Sequence, residues 1–236
     1  MKIVEEFSTL QGEGKYLGVP SYFIRSTGCN LRCAWKNKDE SVTVCDTPYT
    51  SWQPEKGYEL NVDKVLEELR GSKIEHIVLT GGEPTIQPDL REVSNRFNDN
   101  SYIVTVETNG TRYHEGMERA FISISPKLKS SYAQLDERER QFHVRNNDFI
   151  ESTRSWMRSN NYQLKFVVNQ HSDMSEIVEL QEDLQVPGNK IYLMPQGISE
   201  EQFKERQHWL FRVCQQYGFT YTPRMHIDIF GNVRGS

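Results

Sequence analysis

Short runs dense in β-branched and aromatic residues punctuate the chain: Ser21 to Arg25 (SYFIR), His76 to Thr80 (HIVLT), Tyr102 to Glu107 (YIVTVE), Phe121 to Ser125 (FISIS), Tyr162 to Val168 (YQLKFVV) and Lys190 to Met194 (KIYLM). Runs this short, almost uninterrupted by charge, predict strands buried on both faces. Between them, apolar residues recur at helical spacing. NVDKVLEELRG predicts a helix capped by Asn61 and stopped by Gly71, and PDLREVSNRF and HSDMSEIVELQEDL predict two more. SEEQFKERQHWLFRVCQQYG predicts the last, capped by Ser199 and ended by Gly218, with Phe203, Leu210, Val213, Cys214 and Tyr217 as one apolar stripe. The charged segment from Lys127 to Arg158 reads as one or two exposed helices. Strand, helix, strand units in succession predict an α/β fold, a mostly parallel sheet with helices outside.

Composition narrows the class. With 236 residues, 36% of them hydrophobic, the chain can bury a core and suits a single domain over 1–236. No run approaches the ~18 consecutive apolar residues of a membrane span, and MKIVEEFSTLQGEG lacks the order of a signal peptide. A cytoplasmic protein with no membrane partner is expected. Lys and Arg are scattered among Asp and Glu at a net charge of −5, which offers no basic face to a phosphate backbone and argues against direct nucleic-acid binding.

In a sheet of about six parallel strands, a ligand site belongs at the strands' carboxyl ends. The unusual residues fall there: Gly81, Gly82, Glu83 and Pro84 after HIVLT; Thr108, Asn109 and Gly110 after YIVTVE; Ser125, Pro126 and Lys127 closing FISIS; Pro195, Gln196 and Gly197 after KIYLM. Each alone also reads as turn punctuation or a satisfied loop polar. The stretch after SYFIR, CNLRCAWKNKDESVTVCDT, is harder to dismiss. It holds three of the four cysteines: Cys29 and Cys33 four apart, and Cys45 beyond a polar stretch at about 36–44 that looks like an insertion. Cys214, on a helical apolar stripe, reads as a small buried hydrophobe. In a reducing compartment the three thiols are ligands sooner than disulfide partners. Structural zinc takes four protein ligands in paired short spacings, and neither a CxxC nor a nearby histidine stands here. Three thiolates with one coordination position open suit an iron–sulfur cluster that binds substrate or cofactor through its unique iron.

CNLRC, AW, CDT and GGEP together resemble the radical S-adenosylmethionine superfamily, whose usual motif is CxxxCxxC. Here KNKDESVTV stands between Trp35 and Cys45. A polar excursion of that length adds little closure entropy provided its ends meet, and it is expected to bulge outward. FSTLQGEGKYLGVPSYFIRSTGCN, CDTPYTSW, SPKLKSS, LKFVV and MHIDIFGNVRGS narrow the resemblance to the 7-carboxy-7-deazaguanine synthase family. That resemblance implies a partial, incomplete TIM-like barrel with a radical S-adenosylmethionine core. It implies a [4Fe-4S] cluster held by Cys29, Cys33 and Cys45, S-adenosylmethionine, Mg²⁺ on Thr47, a homodimer, and an electron donor such as flavodoxin or ferredoxin. The implied reaction converts 6-carboxy-5,6,7,8-tetrahydropterin to 7-carboxy-7-deazaguanine by radical ring contraction with loss of ammonia, in deazapurine biosynthesis of the queuosine type.

Individual residues take roles accordingly. Gly81 and Gly82 would let backbone approach the methionine moiety without a Cβ in the way, and Glu83 would accept from its ammonium group or brace the loop. Asn109, Ser125, Lys127 and Gln196 would hydrogen-bond its ribose, adenine or carboxylate. Gln11, Gly12 and Glu13 in LQGEG resemble the family's pterin-edge readers, Arg25 its carboxylate clamp and His226 a further substrate contact. Phe230 stands where members often carry tryptophan. Two other readings stay open: a small activase that makes a glycyl radical on a partner, which would not need LQGEG, the CDT threonine or HIDIFGN, and a zinc-stabilised binding module without catalysis.

Overall fold

The computed structural model describes residues 1–235, so that Ser236, the last residue of the closing segment, lies outside the described residues. Its strands in chain order are β1 (Lys2–Leu10), β2 (Pro20–Ser26), β3 (Ala34–Lys36), β4 (Val42–Val44), β5 (Tyr58–Glu59), β6 (His76–Gly81), β7 (Ile103–Thr108), β8 (Phe121–Ile124), β9 (Asn161–Val168), β10 (Ile191–Pro195) and β11 (Thr220–Tyr221). The helices are α1 (Pro48–Ser51), α2 (Val62–Leu69), α3 (Leu90–Asp99), α4 (Glu137–Asn146), α5 (Ile150–Ser159), α6 (Asp173–Leu184), α7 (Glu200–Tyr217) and α8 (Met225–Phe230). Side chains cap three of them: Asn61 Oδ1 accepts from the Lys64 amide at 3.0 Å, Asp136 Oδ1 from Glu139 at 2.8 Å and Ser199 Oγ from Gln202 at 3.4 Å.

The main sheet has nine strands in the order β11-β10-β9-β8-β7-β6-β2-β1-β5. It is parallel from β2 through β6, β7, β8, β9 and β10 to β11, while β1 pairs antiparallel with β2 and β5 with β1. The order leaves two free edges, so the sheet curves as a partial barrel and does not close. All six predicted strands are present. The antiparallel β1 and the short β5 and β11 were not anticipated: in β1 only Ile3 and Val4 are buried and Glu5, Glu6, Ser8 and Thr9 interrupt it, so it lacks the solid apolar run that marked the others.

The central strands are not apolar on both faces. Ile77 and Leu79, Val104 and Val106, Ile122 and Ile124, and Leu164 and Phe166 point to the helices and form the main core. Between them His76, Thr80, Thr105, Glu107, Ser123, Gln163 and Lys165 face the other way and line the concave side. Helices complete the core with Val65 and Leu69 from α2, Val93 and Phe97 from α3, Ile177 and Leu184 from α6, and Leu210 and Cys214 from α7.

Two local expectations are corrected and a third is refined. The Lys127–Arg158 segment does form two helices, but α5 is anchored: Trp156 has no exposed surface, donates Nε1–H to the Arg112 carbonyl at 3.0 Å and meets Tyr113 edge-on at 4.8 Å. On α7 the stripe ends before Tyr217, which is 42% exposed, and includes instead Arg206, a charged residue that burial rules would place outside. The polar stretch after Trp35 does reach outward, with only Asn37 and Thr43 buried, but it is not a loose loop. It folds into the β3–β4 hairpin, pairing Ala34 with Val44, Trp35 with Thr43 and Lys36 with Val42. At the hairpin's base the Cys45 amide donates to the Cys33 carbonyl at 3.0 Å, so eleven intervening residues leave the two cysteines adjacent.

Candidate active site

The concave face and the loops at the strands' carboxyl ends enclose a cavity of about 480 Å³, within the usual range for ligand sites. Its opposite end is plugged. The turn Gly14–Tyr16 crosses beneath the strands, where Tyr16 meets His76 at a tilt, 4.6 Å between ring centres, and Phe121 edge-on at 5.2 Å. The Lys15 amide donates to Gln163 Oε1 at 2.9 Å, and Gln163 Nε2 to Ser123 Oγ at 2.8 Å. A Cβ at Gly14 would lie 2.3 Å from Gln163 Nε2, so this turn needs glycine.

Cys29, Cys33 and Cys45 line one wall, packed with Leu31, Trp35 and Val167 into a small apolar cluster. All three are free thiols. Burial raises each above its ordinary range, Cys29 to about 12 with the Glu83 carboxylate adding to the effect. Such thiols keep their protons until a metal displaces them. The Leu31 amide points at Cys29 Sγ from 3.4 Å, a donor that would favour the thiolate. Among the described residues no group of three His, Cys, Asp or Glu side chains is arranged to share a single ion. Three thiols on an apolar wall, with Gln196 Oε1 buried and unpartnered in the same cavity, fit a polynuclear iron–sulfur group with a polar ligand beside it.

The loop after β6 borders that wall. Gly81 has φ +121°, and a Cβ on Gly82 would fall 1.9 Å from the Gly28 carbonyl oxygen. The room a missing Cβ leaves is taken by the chain's own backbone, so these glycines let β6 press against the cluster loop, and both also line the cavity. Glu83, 1% exposed, is a brace. Its Oε1 accepts from the Thr85 amide (3.0 Å) and the Thr85 and Thr108 hydroxyls (both 2.6 Å), its Oε2 from the Asn109 amide at 2.6 Å. Asn109 reaches Asn30 Oδ1 at 2.9 Å, tying a second strand end to the cysteine loop. Lys127 Nζ donates to Ser125 Oγ at 2.9 Å, and both face the cavity.

The facing wall is charged. Glu13 is held between Lys165, whose ammonium donates to Oε2, and Arg224, whose Nε donates to Oε1 at 3.0 Å. Burial alone would raise its carboxyl, but Lys165, Arg224 and His226 outweigh it and keep Glu13 ionised well below the ordinary range. Arg224 also pairs with Asp46 and donates to the Gly197 carbonyl at 2.8 Å. His226 enters from α8 against Gly12, where a Cβ would sit 2.2 Å from its Nδ1. Gln11 donates to Glu107 Oε1 at 3.1 Å, and Thr80 to its Oε2 at 2.8 Å. Arg25 donates Nε–H to Glu5 at 2.6 Å, leaving the rest of its guanidinium toward the cavity; Glu5 also accepts from Tyr49 at 2.7 Å and from Arg234 at 2.8 Å. Thr47 Oγ1 lies 3.4 Å from Cys45 Sγ, beside Asp46.

All the candidates named from sequence thus border this one cavity. Glu5, Asp46, Glu107, Lys165 and Arg224 were missed. A signal existed for two of them: Glu107 and Lys165 are charges at inner-face positions of otherwise apolar strand runs.

A partial barrel with a three-cysteine loop at its mouth defines a radical S-adenosylmethionine enzyme, and the Radical SAM superfamily model matches residues 23–126. Such enzymes work with a [4Fe-4S] cluster, S-adenosylmethionine and an external reductant. The relatives are more specific. The 7-carboxy-7-deazaguanine synthase of Rhodopirellula baltica is 37% identical, covering 99% of this chain and 88% of its own. That of Halobacterium salinarum is 35% identical, covering 98% and 91%. This chain belongs to the 7-carboxy-7-deazaguanine synthase family. The crystal structure of QueE from Escherichia coli has the same fold, with a TM-score of 0.64 at 23% identity over 95% of this chain and 94% of that one. No described helix is long and apolar enough to cross a membrane.

Proposed function

We propose that this chain converts 6-carboxy-5,6,7,8-tetrahydropterin to 7-carboxy-7-deazaguanine by radical ring contraction with loss of ammonia. Family membership supports the reading, and one observation carries it: a single cavity has three thiols on one wall and, facing them, an acceptor, donor and cation set suited to a flat carboxylated heterocycle. Cys29, Cys33 and Cys45 would hold the cluster, and Gln196, Ser125, Lys127 and Asn109, which line the same cavity, would hydrogen-bond S-adenosylmethionine. When bound, the cluster and S-adenosylmethionine supply the one-electron chemistry that starts the reaction.

The chain's own residues place and shield the substrate. Glu13, kept anionic by Lys165 and Arg224, accepts from the donor edge of the pterin, and Gln11, oriented by Glu107, takes the adjacent amide. Gly12 makes room for His226 to reach the same ring. Arg25, steadied by Glu5, neutralises the substrate carboxylate. Thr47, with Asp46 next to it, would hold Mg²⁺ together with oxygens of water and substrate, as the family resemblance supports. Leu31, Trp35 and Val167 keep the thiol wall dry, which protects radical chemistry from side reactions. The chain acts as one domain, and the family resemblance supports a cytoplasmic homodimer reduced by a flavodoxin or ferredoxin.

The test is anaerobic reconstitution followed by incubation with the carboxylated pterin, S-adenosylmethionine, dithionite and Mg²⁺. The expected result is 7-carboxy-7-deazaguanine by mass spectrometry, with loss of turnover in Arg25→Ala and Thr47→Ala. A brown protein that cleaves S-adenosylmethionine yet leaves the pterin unchanged would overturn the substrate assignment.

A further inference from the structure

The β3–β4 hairpin separates Cys33 from Cys45, so whatever holds the hairpin sets the third thiol of the site. What holds it is a buried arginine. Arg206, on α7, is 3% exposed. Its Nε donates to the Asn169 carbonyl at 3.0 Å, one terminal nitrogen to the Gln202 carbonyl at 2.9 Å, and the other to Asn169 Oδ1 at 2.9 Å and Asn37 Oδ1 at 3.4 Å. Its ion-pair partner Glu205 stands 3.6 Å away and is 40% exposed, and the Asp173 carboxylate acts on it from further off. A guanidinium buried among neutral acceptors is costly unless its donors are used, and here each of its three nitrogens has an acceptor.

Those acceptors all lead to the hairpin. Asn37, at the head of its tip, donates to Ser41 Oγ at 3.0 Å and Thr43 Oγ1 at 2.8 Å. Asn169 Nδ2 donates to the Lys36 carbonyl at 3.1 Å, and Gln202 Nε2 to Thr43 Oγ1 at 3.3 Å. Asp173 fixes the Asn169 end by accepting its amide at 2.8 Å. Two residues before Asn169, Val167 packs against the apolar cluster of Leu31, Cys33 and Trp35 that also receives Cys29 and Cys45. The polar residues of the insertion, which look like ordinary solvated loop in sequence, are the inward half of this network.

We propose that Arg206 is a positioning residue for the iron–sulfur site: through Asn37 and Asn169 it locks the β3–β4 hairpin in the register that presents Cys45 beside Cys33. The usual CxxxCxxC spacing holds its third cysteine by chain connectivity alone, with two residues between it and the second. This chain has replaced that short tether with a hairpin, and a hairpin of three-residue strands is not stable by itself. The buried fork supplies the missing constraint.

The inference rests on the reading that Cys29, Cys33 and Cys45 hold the cluster, and the experiment separates the two. The full-length protein, Arg206→Met, Asn37→Ala, the double variant and Cys45→Ala are reconstituted anaerobically. Iron and sulfide per chain, the rate of iron loss to a chelator, the electron paramagnetic resonance signal of the reduced cluster with and without S-adenosylmethionine, and the melting temperature of the apo chain are measured. Arg206→Met is expected to lose iron at least about tenfold faster than the parent, with Asn37→Ala in between and the double variant no faster than Arg206→Met, as for two members of one path. Arg206→Met releasing iron at the parent rate, or the two effects simply multiplying, would overturn the proposal. Should Arg206→Met melt below the assay temperature, Asn37→Ala, which leaves the Asn169 and Gln202 contacts intact, carries the test: iron loss at the parent rate then overturns it. If instead the parent binds no iron, or Cys45→Ala keeps its full complement, the cluster reading fails and the role of Arg206 fails with it.

Discussion

Substituting Lys165→Met tests the charged wall, because Lys165 and Glu13 are 6% and 12% exposed at the side chain and cannot exchange each other for water. Removing one partner of a buried pair costs about 3–5 kcal/mol when the survivor is left alone. Here the survivor keeps Arg224 at 3.0 Å, so we expect roughly half, ~2 kcal/mol. In a chain of this length each kcal/mol moves the midpoint by about 2–4 °C, which gives a fall of about 4–8 °C. Glu13→Gln should also destabilise, since it strips the anion from between two cations. The two changes together should cost less than their sum by about 1.5–2 kcal/mol, the coupling of a directly bonded pair. Thermal melts of the four apo proteins provide the cycle, and kcat/KM for the pterin provides a second readout. Loosening of Glu13 should raise KM about tenfold, equivalent to about 1.4 kcal/mol, before it lowers kcat. A double variant that melts where the sum of the two single changes places it would show that Lys165 and Glu13 do not act on one another, and the account of this wall would be wrong.

Other outcomes follow from the same geometry. Cys45→Ala should abolish cleavage of S-adenosylmethionine, and full retention would remove Cys45 from the ligand set. Gly82→Ala would set a Cβ 1.9 Å from the Gly28 carbonyl, so its melt should drop by several degrees and its iron content should fall; an unchanged protein would mean that the two loops are not in contact. His76 is wedged between Ser21 Oγ and Thr105 Oγ1, both at 2.7 Å, and burial lowers it from 6.5 to about 4. Because the unfolded chain then takes up the proton first, stability is full above about pH 6.5 and declines toward pH 4, by about 3 kcal/mol. His76→Gln should flatten that part of the profile relative to the parent, and parallel melting curves from pH 7.5 to 4.5 would refute the assignment.

Much of this architecture was legible in sequence because it is written locally. Six strand runs, the Asn61 and Ser199 caps and the Gly218 stop depend on neighbours within a turn or two, and all appear where periodicity placed them. The three-cysteine loop was legible too, since chemistry that rare admits few explanations. What escaped was the two-sidedness of the strands. Thr80, Glu107, Ser123 and Lys165 alternate with core residues, but a lone polar residue in a run of four to eight looks like noise until a concave face gives it a common direction.

The hairpin shows where local signals end. KNKDESVTV has the composition of a solvated loop, and composition alone sends it outward. Its inward half is determined by Arg206 and Asn169, which lie more than a hundred residues further along the chain. The pairing of Glu13 with Lys165 and Arg224 is likewise a product of strand order. Sequence by itself settled the six parallel strands of the sheet, the helices between them, the fold class and the family, because these follow from periodicity, capping and reactive residue types. Tertiary structure alone decided which charges neutralise one another and what supports the third thiol, because burial and Coulomb energies depend on distance through space, and separation along the chain does not report it.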